Sequence, residues 1–190
     1  MKKIAICTAI CLWFAGVAYG DGQRPRVERK HLDKPADIQG YPCAQGVAWF
    51  YDSGVLESCR TARDASFGEA RVPAGSWIHL TSDGQPDFAF LRHDTRIDHY
   101  TCRGRGHNFT TAFFPSGKLK ECWLADDEEI QSVPCGRGSF FGDVFGGGSG
   151  TEFYDNGKLR RCRLWKPAMV QDKRFASGAR VAFDEDGRIK

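Results

Sequence analysis

The sequence predicts an all-β protein of repetitive, stacked antiparallel β-hairpins, a ribbon or open meander stapled by disulfides. Three observations carry that expectation. A glycine-ended turn recurs five times in one register, apolar residues keep fixed places around it, and six cysteines fall on two of those places. The turns are Asp52-Ser53-Gly54, Ser82-Asp83-Gly84, Pro115-Ser116-Gly117, Asp155-Asn156-Gly157 and Glu185-Asp186-Gly187. Their glycines lie 30, 33, 40 and 30 residues apart, a spacing typical of repeat architectures.

Each element of one unit follows from its residues. Four positions before the glycine stand Phe50, Leu80, Phe113, Phe153 and Phe183; two after it stand Leu56, Pro86, Leu119, Leu159 and Ile189. Strong β-formers around a three-residue loop with glycine last fit a type I turn closed by a left-handed residue. In that register the residue four before faces the residue two after, a cross-strand pair worth about 0.2–1 kcal/mol. Cys59, Ala89, Cys122 and Cys162 come five after the glycine, and Thr61, Leu91, Leu124 and Leu164 seven after. A second apolar step follows at Phe67, Ile97, Ile130 and Val170, and a third at Val72, Cys102, Cys135 and Phe175; Ile38 leads to Cys43 in the same way. One hairpin alone is marginal, so neighbours must stack or pair to build an apolar layer. The repeat domain is expected over 38–190, in units of about 38–66, 67–96, 97–129, 130–169 and 170–190.

Residues 1–20 read as a cleavable signal peptide. Lys2 and Lys3 precede an apolar run from Ile4 to Val17, and Ala18-Tyr19-Gly20 places small residues before a cut near Gly20-Asp21. The run is short for a membrane span, which needs about 20 apolar residues, and no second run follows. Cys7 and Cys11 would leave with the signal. Residues 21–37 mix Arg24, Arg26, Arg29, Lys30 and Lys34 with Glu28, Asp33 and Asp37, broken by Pro25 and Pro35. That composition predicts a flexible polar leader. The expected destination is the periplasm or the exterior. Without Lys2 and Lys3 the 27 Lys+Arg fall to 25, against 24 Asp+Glu. Such a balance argues against nucleic acid as the partner.

The repeat also predicts the cysteine pairing. Units one, three and four carry cysteine at both special places, whereas unit two carries Val72 and Ala89 there. Cysteines that come and go together imply Cys43–Cys59, Cys102–Cys122 and Cys135–Cys162. Each bridge should contribute about 3 kcal/mol in the chain-entropy model, in keeping with an oxidising compartment.

Candidates for chemistry are few. His93, His99, Asp94 and Asp98 have metal-ligand chemistry, but Asp64 and Asp127 hold the place of Asp94 in other units, which reads as a turn residue. Asp126–Glu129 reads as a solvated acidic connection rather than a calcium loop. Asn108-Phe109-Thr110 is a formal glycosylation acceptor. No serine elbow, zinc-protease helix or phosphate loop is present, so neither a catalytic residue nor a metal or cofactor is expected. An insertion between Gly138 and Gly150 carries Phe140, Phe141, Val144 and Phe145 among glycines. It is either a contact loop or a segment packed on the hairpin beneath. Trp49, Trp77, Trp123 and Trp165 are likewise either contact aromatics or packing.

The hairpin Phe153-Tyr154-Asp155-Asn156-Gly157-Lys158-Leu159 resembles the bacterial variants of the MORN repeat, and the resemblance extends over about residues 38–190. The units here are longer and add cysteine pairs. The resemblance implies stacked β-hairpins, a role in protein or membrane contact, and no enzyme activity. The expectation is therefore an exported, non-enzymatic interaction or scaffold module of the cell envelope, whose partner is an envelope protein or cell-wall glycan. Two alternatives are a glycan-binding module that uses surface aromatics as stacking faces, and a hydrolase whose dispersed site shows as clustered, perturbed carboxylates or histidines.

Overall fold

The five turn glycines all take a left-handed backbone, with φ of +81° at Gly54, +74° at Gly84, +84° at Gly117, +79° at Gly157 and +86° at Gly187. A Cβ is strained there, which is why glycine holds the place. Each glycine N–H donates to the carbonyl three residues back, as Gly54 does to Tyr51 and Gly157 to Tyr154, both at 2.8 Å. The expected pairs then close the hairpins: Phe50 opposite Leu56, Leu80 opposite Pro86, Phe113 opposite Leu119, Phe153 opposite Leu159 and Phe183 opposite Ile189. Glu57, Asp87, Lys120 and Arg160 follow as unpaired bulge residues, because the next pairs are Trp49 with Ser58, His79 with Phe88, Ala112 with Glu121 and Glu152 with Arg161.

The computed structural model describes residues 27–105, 109–138 and 150–190. The signal peptide with its cleavage site, the insertion residues Phe140, Phe141, Val144 and Phe145, and the acceptor Asn108 lie outside the described residues. The strands are β1 (Val27–Leu32), β2 (Ala36–Ile38), β3 (Tyr41–Tyr51), β4 (Leu56–Thr61), β5 (Ala65–Phe67), β6 (Ala70–Val72), β7 (Trp77–Leu80), β8 (Pro86–Phe90), β9 (Thr95–Ile97) and β10 (Tyr100–Cys102). They continue as β11 (Thr110–Phe113), β12 (Leu119–Cys122), β13 (Glu128–Ile130), β14 (Val133–Cys135), β15 (Thr151–Phe153), β16 (Leu159–Arg163), β17 (Ala168–Val170), β18 (Lys173–Phe175) and β19 (Arg180–Ala182). The expected all-β class is what the chain adopts.

Ten strands form one meander in the order β1-β3-β4-β7-β8-β11-β12-β15-β16-β19, and β2 joins as an eleventh by pairing the start of β3. Between successive large hairpins the chain makes a small one: β5–β6, β9–β10, β13–β14 and β17–β18. The small turns are two residues long, and Gln39-Gly40, Gln131-Ser132 and Gln171-Asp172 have positive φ at both places. That is the twist a two-residue hairpin demands.

The small hairpins pack on one face of the meander, and the core lies between the layers. Phe67, Val72, Ile97, Ile130 and Val170 come from the small hairpins; Phe50, Leu56, Ile78, Leu80, Phe113, Leu119, Phe153 and Val181 come from the meander. The Phe67 ring meets Phe113 edge-on at 4.9 Å. All three predicted disulfides are formed, with Cα–Cα distances of 5.7, 5.5 and 5.6 Å for Cys43–Cys59, Cys102–Cys122 and Cys135–Cys162. The latter two join a small hairpin to the meander. Val72 and Ala89, which replace the cysteines in unit two, are fully buried.

Polar side chains fix the layers in repeating fashion. Gln39 accepts from the Leu56 N–H at 2.9 Å and donates to the Gly54 carbonyl at 3.0 Å. Gln131 does the same to Leu159 and Gly157, and Gln171 to Ile189 and Gly187. Asp64, Asp94 and Asp127 each accept from the backbone N–H ten residues ahead, at Ala74, Gly104 and Arg137. This is the turn role their equivalence predicts.

One expectation is corrected. Part of the polar leader is strand: Val27–Leu32 pairs along its length with Leu32 opposite Gly46 and Val27 opposite Tyr51, and Ala36–Ile38 pairs with Tyr41–Cys43. Composition misses this because main-chain hydrogen bonds hold β1, whose side chains are almost all exposed. Charged residues are common on such an edge, where they discourage further pairing.

Candidate functional site

Strand alternation and the bulges send one set of side chains to the outer face of the meander, away from the small hairpins. One row runs Trp49, Ser58, His79, Phe88, Ala112, Glu121, Glu152, Arg161, Ala182 in direct cross-strand register. The next runs Arg60, Trp77, Phe90, Thr110. The face is aromatic over the first hairpins and charged over the later ones. Phe88 stacks on the His79 ring at 4.4 Å and meets Phe90 edge-on at 5.4 Å.

Beside the second row lies a groove of about 920 Å³. Trp77 and Phe90 form its apolar wall. Arg60, Arg92, Arg105 and His93 are exposed around it, and Gln45, Gly46, Val47 and Gly75 complete the lining. Packing fixes the arginine positions. Arg60 follows Cys59 and alternates outward; Arg105 lies on Leu91 through an N–H to carbonyl bond of 3.0 Å. Gly104 makes that approach feasible, because a Cβ there would stand 2.2 Å from the His93 backbone. Among the described residues no carboxylate lines the groove. Among the described residues, none of the three guanidiniums forms an ion pair, whereas Arg63, Arg160, Arg161 and Arg188 all do.

Two charged clusters share the face. His79 spans two bulge residues, with Nε2 2.9 Å from Glu57 and Nδ1 3.0 Å from Asp87. The Asp87 approach is at ion-pair distance but outside hydrogen-bond alignment. Ser58 donates to Glu57 at 2.5 Å, not to His79, so no serine–histidine nucleophile is assembled. Tyr51 donates to the Leu80 carbonyl at 2.7 Å. Burial, then the charges of Glu57 and Asp87, push its phenol above the ordinary range. In the second cluster Glu121 faces Glu152, which Arg161 and Arg160 pair. Burial and then the Glu152 charge raise the Glu121 carboxyl, against the Gly150 N–H, Arg161 and Lys120. Glu121 is thus a single perturbed carboxylate of the kind a dispersed hydrolase site would gather, but the groove is lined by residues of other strands.

The four tryptophans do not act as one set. Trp49 and Trp77 lie half-buried on the outer face. Trp165 is 45% exposed on a connection, beneath the Lys166 ammonium at 4.6 Å. Of the two alternatives, contact or packing, Trp123 takes packing: it is 8% exposed, packed by Phe109 at 5.6 Å and by Gly138, where a Cβ would stand 2.4 Å from the indole. Arg103 lies over Phe109 and donates to the Gly138 carbonyl, sealing that side. Of the candidate metal ligands, Asp94 and Asp98 spend an oxygen each on the Gly104 and Leu119 N–H groups.

Sequence reasoning singles out Trp77 but misses Phe90, Arg60, Arg92 and Arg105. A signal exists for two of them. Arg60 and Phe90 stand six after the turn glycine, between the inward fifth and seventh places, and so must point out. Arg92 and Arg105 lie in connections, where the repeat has no phase. No protein-family model, curated protein or solved structure matches the chain.

Proposed function

We propose that this chain is an exported, non-enzymatic interaction module of the cell envelope that engages its partner through the outer face, at the groove beside Trp77 and Phe90. One observation supports the reading above others. Aromatic surface and three arginines that form no ion pair among the described residues converge on one open groove. Aromatic and arginine side chains dominate binding energy at protein interfaces. A glycan-binding module is the second reading, favoured by the adjacent flat rings of Trp77 and Phe90. The disulfides fit an oxidising destination.

The test is retention of envelope proteins and insoluble cell-wall glycan on oxidised residues 21–190. The expected result is a retained component that is lost with Trp77→Ala or Arg60→Ala and kept with Trp165→Ala. Retention indifferent to changes at Trp77, Phe90 and Arg60 would refute the outer-face reading.

A further inference from the structure

Resting on that groove reading, we infer that the ligand is an acidic glycan. One sugar ring lies on Trp77 and Phe90, and its anionic group is gripped by Arg60, Arg92 and Arg105.

Four features of the groove point to this chemistry. Its charge is uncompensated: three guanidiniums, no lining carboxylate, and no ion pair to those guanidiniums among the described residues. A guanidinium fork suits a carboxylate or sulfate group. The charge stands beside apolar faces, for Arg60, Trp77 and Phe90 are successive cross-strand neighbours. A ligand must therefore offer a flat apolar patch and an anion a few ångströms apart, as an acidic pyranose does. Gly46 leaves room for a ring to approach the backbone, the Arg92 side chain packs over Gly75, and Gln45 and His93 offer polar groups to hydroxyls. The groove is open, which admits an internal stretch of a polymer.

Two other occupants fit less well. An extended peptide binds a sheet chiefly through main-chain bonds at an edge, but β4, β7 and β8 are each paired on both sides. A single-stranded nucleic acid would use aromatics and arginines too. Its phosphate chain would leave the groove toward Glu57 and Asp87 on the same face, in a chain whose charges nearly balance.

The experiment is binding of oxidised residues 21–190 to oligogalacturonate, alginate oligosaccharide and chondroitin sulfate oligosaccharide. A neutral cello-oligosaccharide, poly-glutamate and oligo-thymidylate serve as comparison ligands. At least one acidic glycan should bind, weakening as salt screens the arginines, and the three comparison ligands should bind more weakly. Trp77→Ala should lower affinity about tenfold, the upper range for an aromatic contact. Trp77→Phe should restore most of it, and Arg60→Ala and Arg105→Ala should each weaken it several-fold. Thermal melts check each fold, and if Trp77→Ala fails to fold, the arginine variants decide. Failure of all three acidic glycans overturns the inference, as does tighter binding of poly-glutamate or oligo-thymidylate. Acidic-glycan binding indifferent to Trp77 or to the arginines also overturns it. A partner captured through Trp77 while every acidic glycan fails would sink this inference and leave the interaction-module reading standing.

Discussion

Replacing Val72 and Ala89 together by cysteine should create a fourth disulfide. The two residues occupy the places that hold Cys43–Cys59, Cys102–Cys122 and Cys135–Cys162 in the other units, and both are fully buried. Their separation of 17 residues falls within the native range of 16 to 27. Closing such a loop stabilises by about 3 kcal/mol in the chain-entropy model. Trimming Val72 to cysteine removes about one buried methyl group and costs about 1 kcal/mol. The net expectation is a gain of about 2 kcal/mol. Peptide mapping without reduction reports the bond, and urea unfolding of the oxidised variant against wild type reports the energy. The variant with only its new bridge unformed should be less stable than wild type by the trimming cost. Free thiols at 72 and 89, or an oxidised variant weaker than that open form, would refute the equivalence of the units.

Three further outcomes follow from the packing. Gly117→Ala should cost several kcal/mol more than Gly54→Ala. Both glycines have positive φ, but a Cβ at 117 meets the Phe67 carbonyl oxygen at 2.3 Å and at 54 meets nothing within 4 Å; denaturant midpoints compare them. Gln131→Leu strands the Leu159 N–H and the Gly157 carbonyl at a hairpin tip, and should cost about 1–2 kcal/mol, read as faster hydrogen exchange at Leu159. Glu121→Gln should stabilise at neutral pH. A carboxyl raised on folding opposes the fold once ionised, so the advantage closes as pH falls below the ordinary value of 4.5. Urea titrations at several pH values check the sign.

The hairpins were legible because a side-chain period of two, broken once per turn by a bulge, leaves a register that can be counted from the glycine. The same count aligned both cysteines of each unit and fixed their pairing. Two kinds of feature escaped it. Edge strand β1 carries no apolar alternation, since its stability comes from main-chain bonds to β3. The groove draws Arg92 and Arg105 from connections, whose placement depends on the close contact of Gly104 with His93. Trp123 shows a third limit: its outward place in the register is covered by Phe109 and Gly138, which belong to connections.

Each bridge joins two cysteines that are consecutive in chain order: 43 with 59, 102 with 122, 135 with 162. An oxidant meeting this chain from its N-terminus would see one new pair of thiols at a time. Joining each thiol to the next to arrive would already give the native connectivity. Maturation then needs a thiol oxidant but no shuffling of wrong bridges, so loss of a disulfide isomerase should leave the yield of correctly bridged protein unchanged.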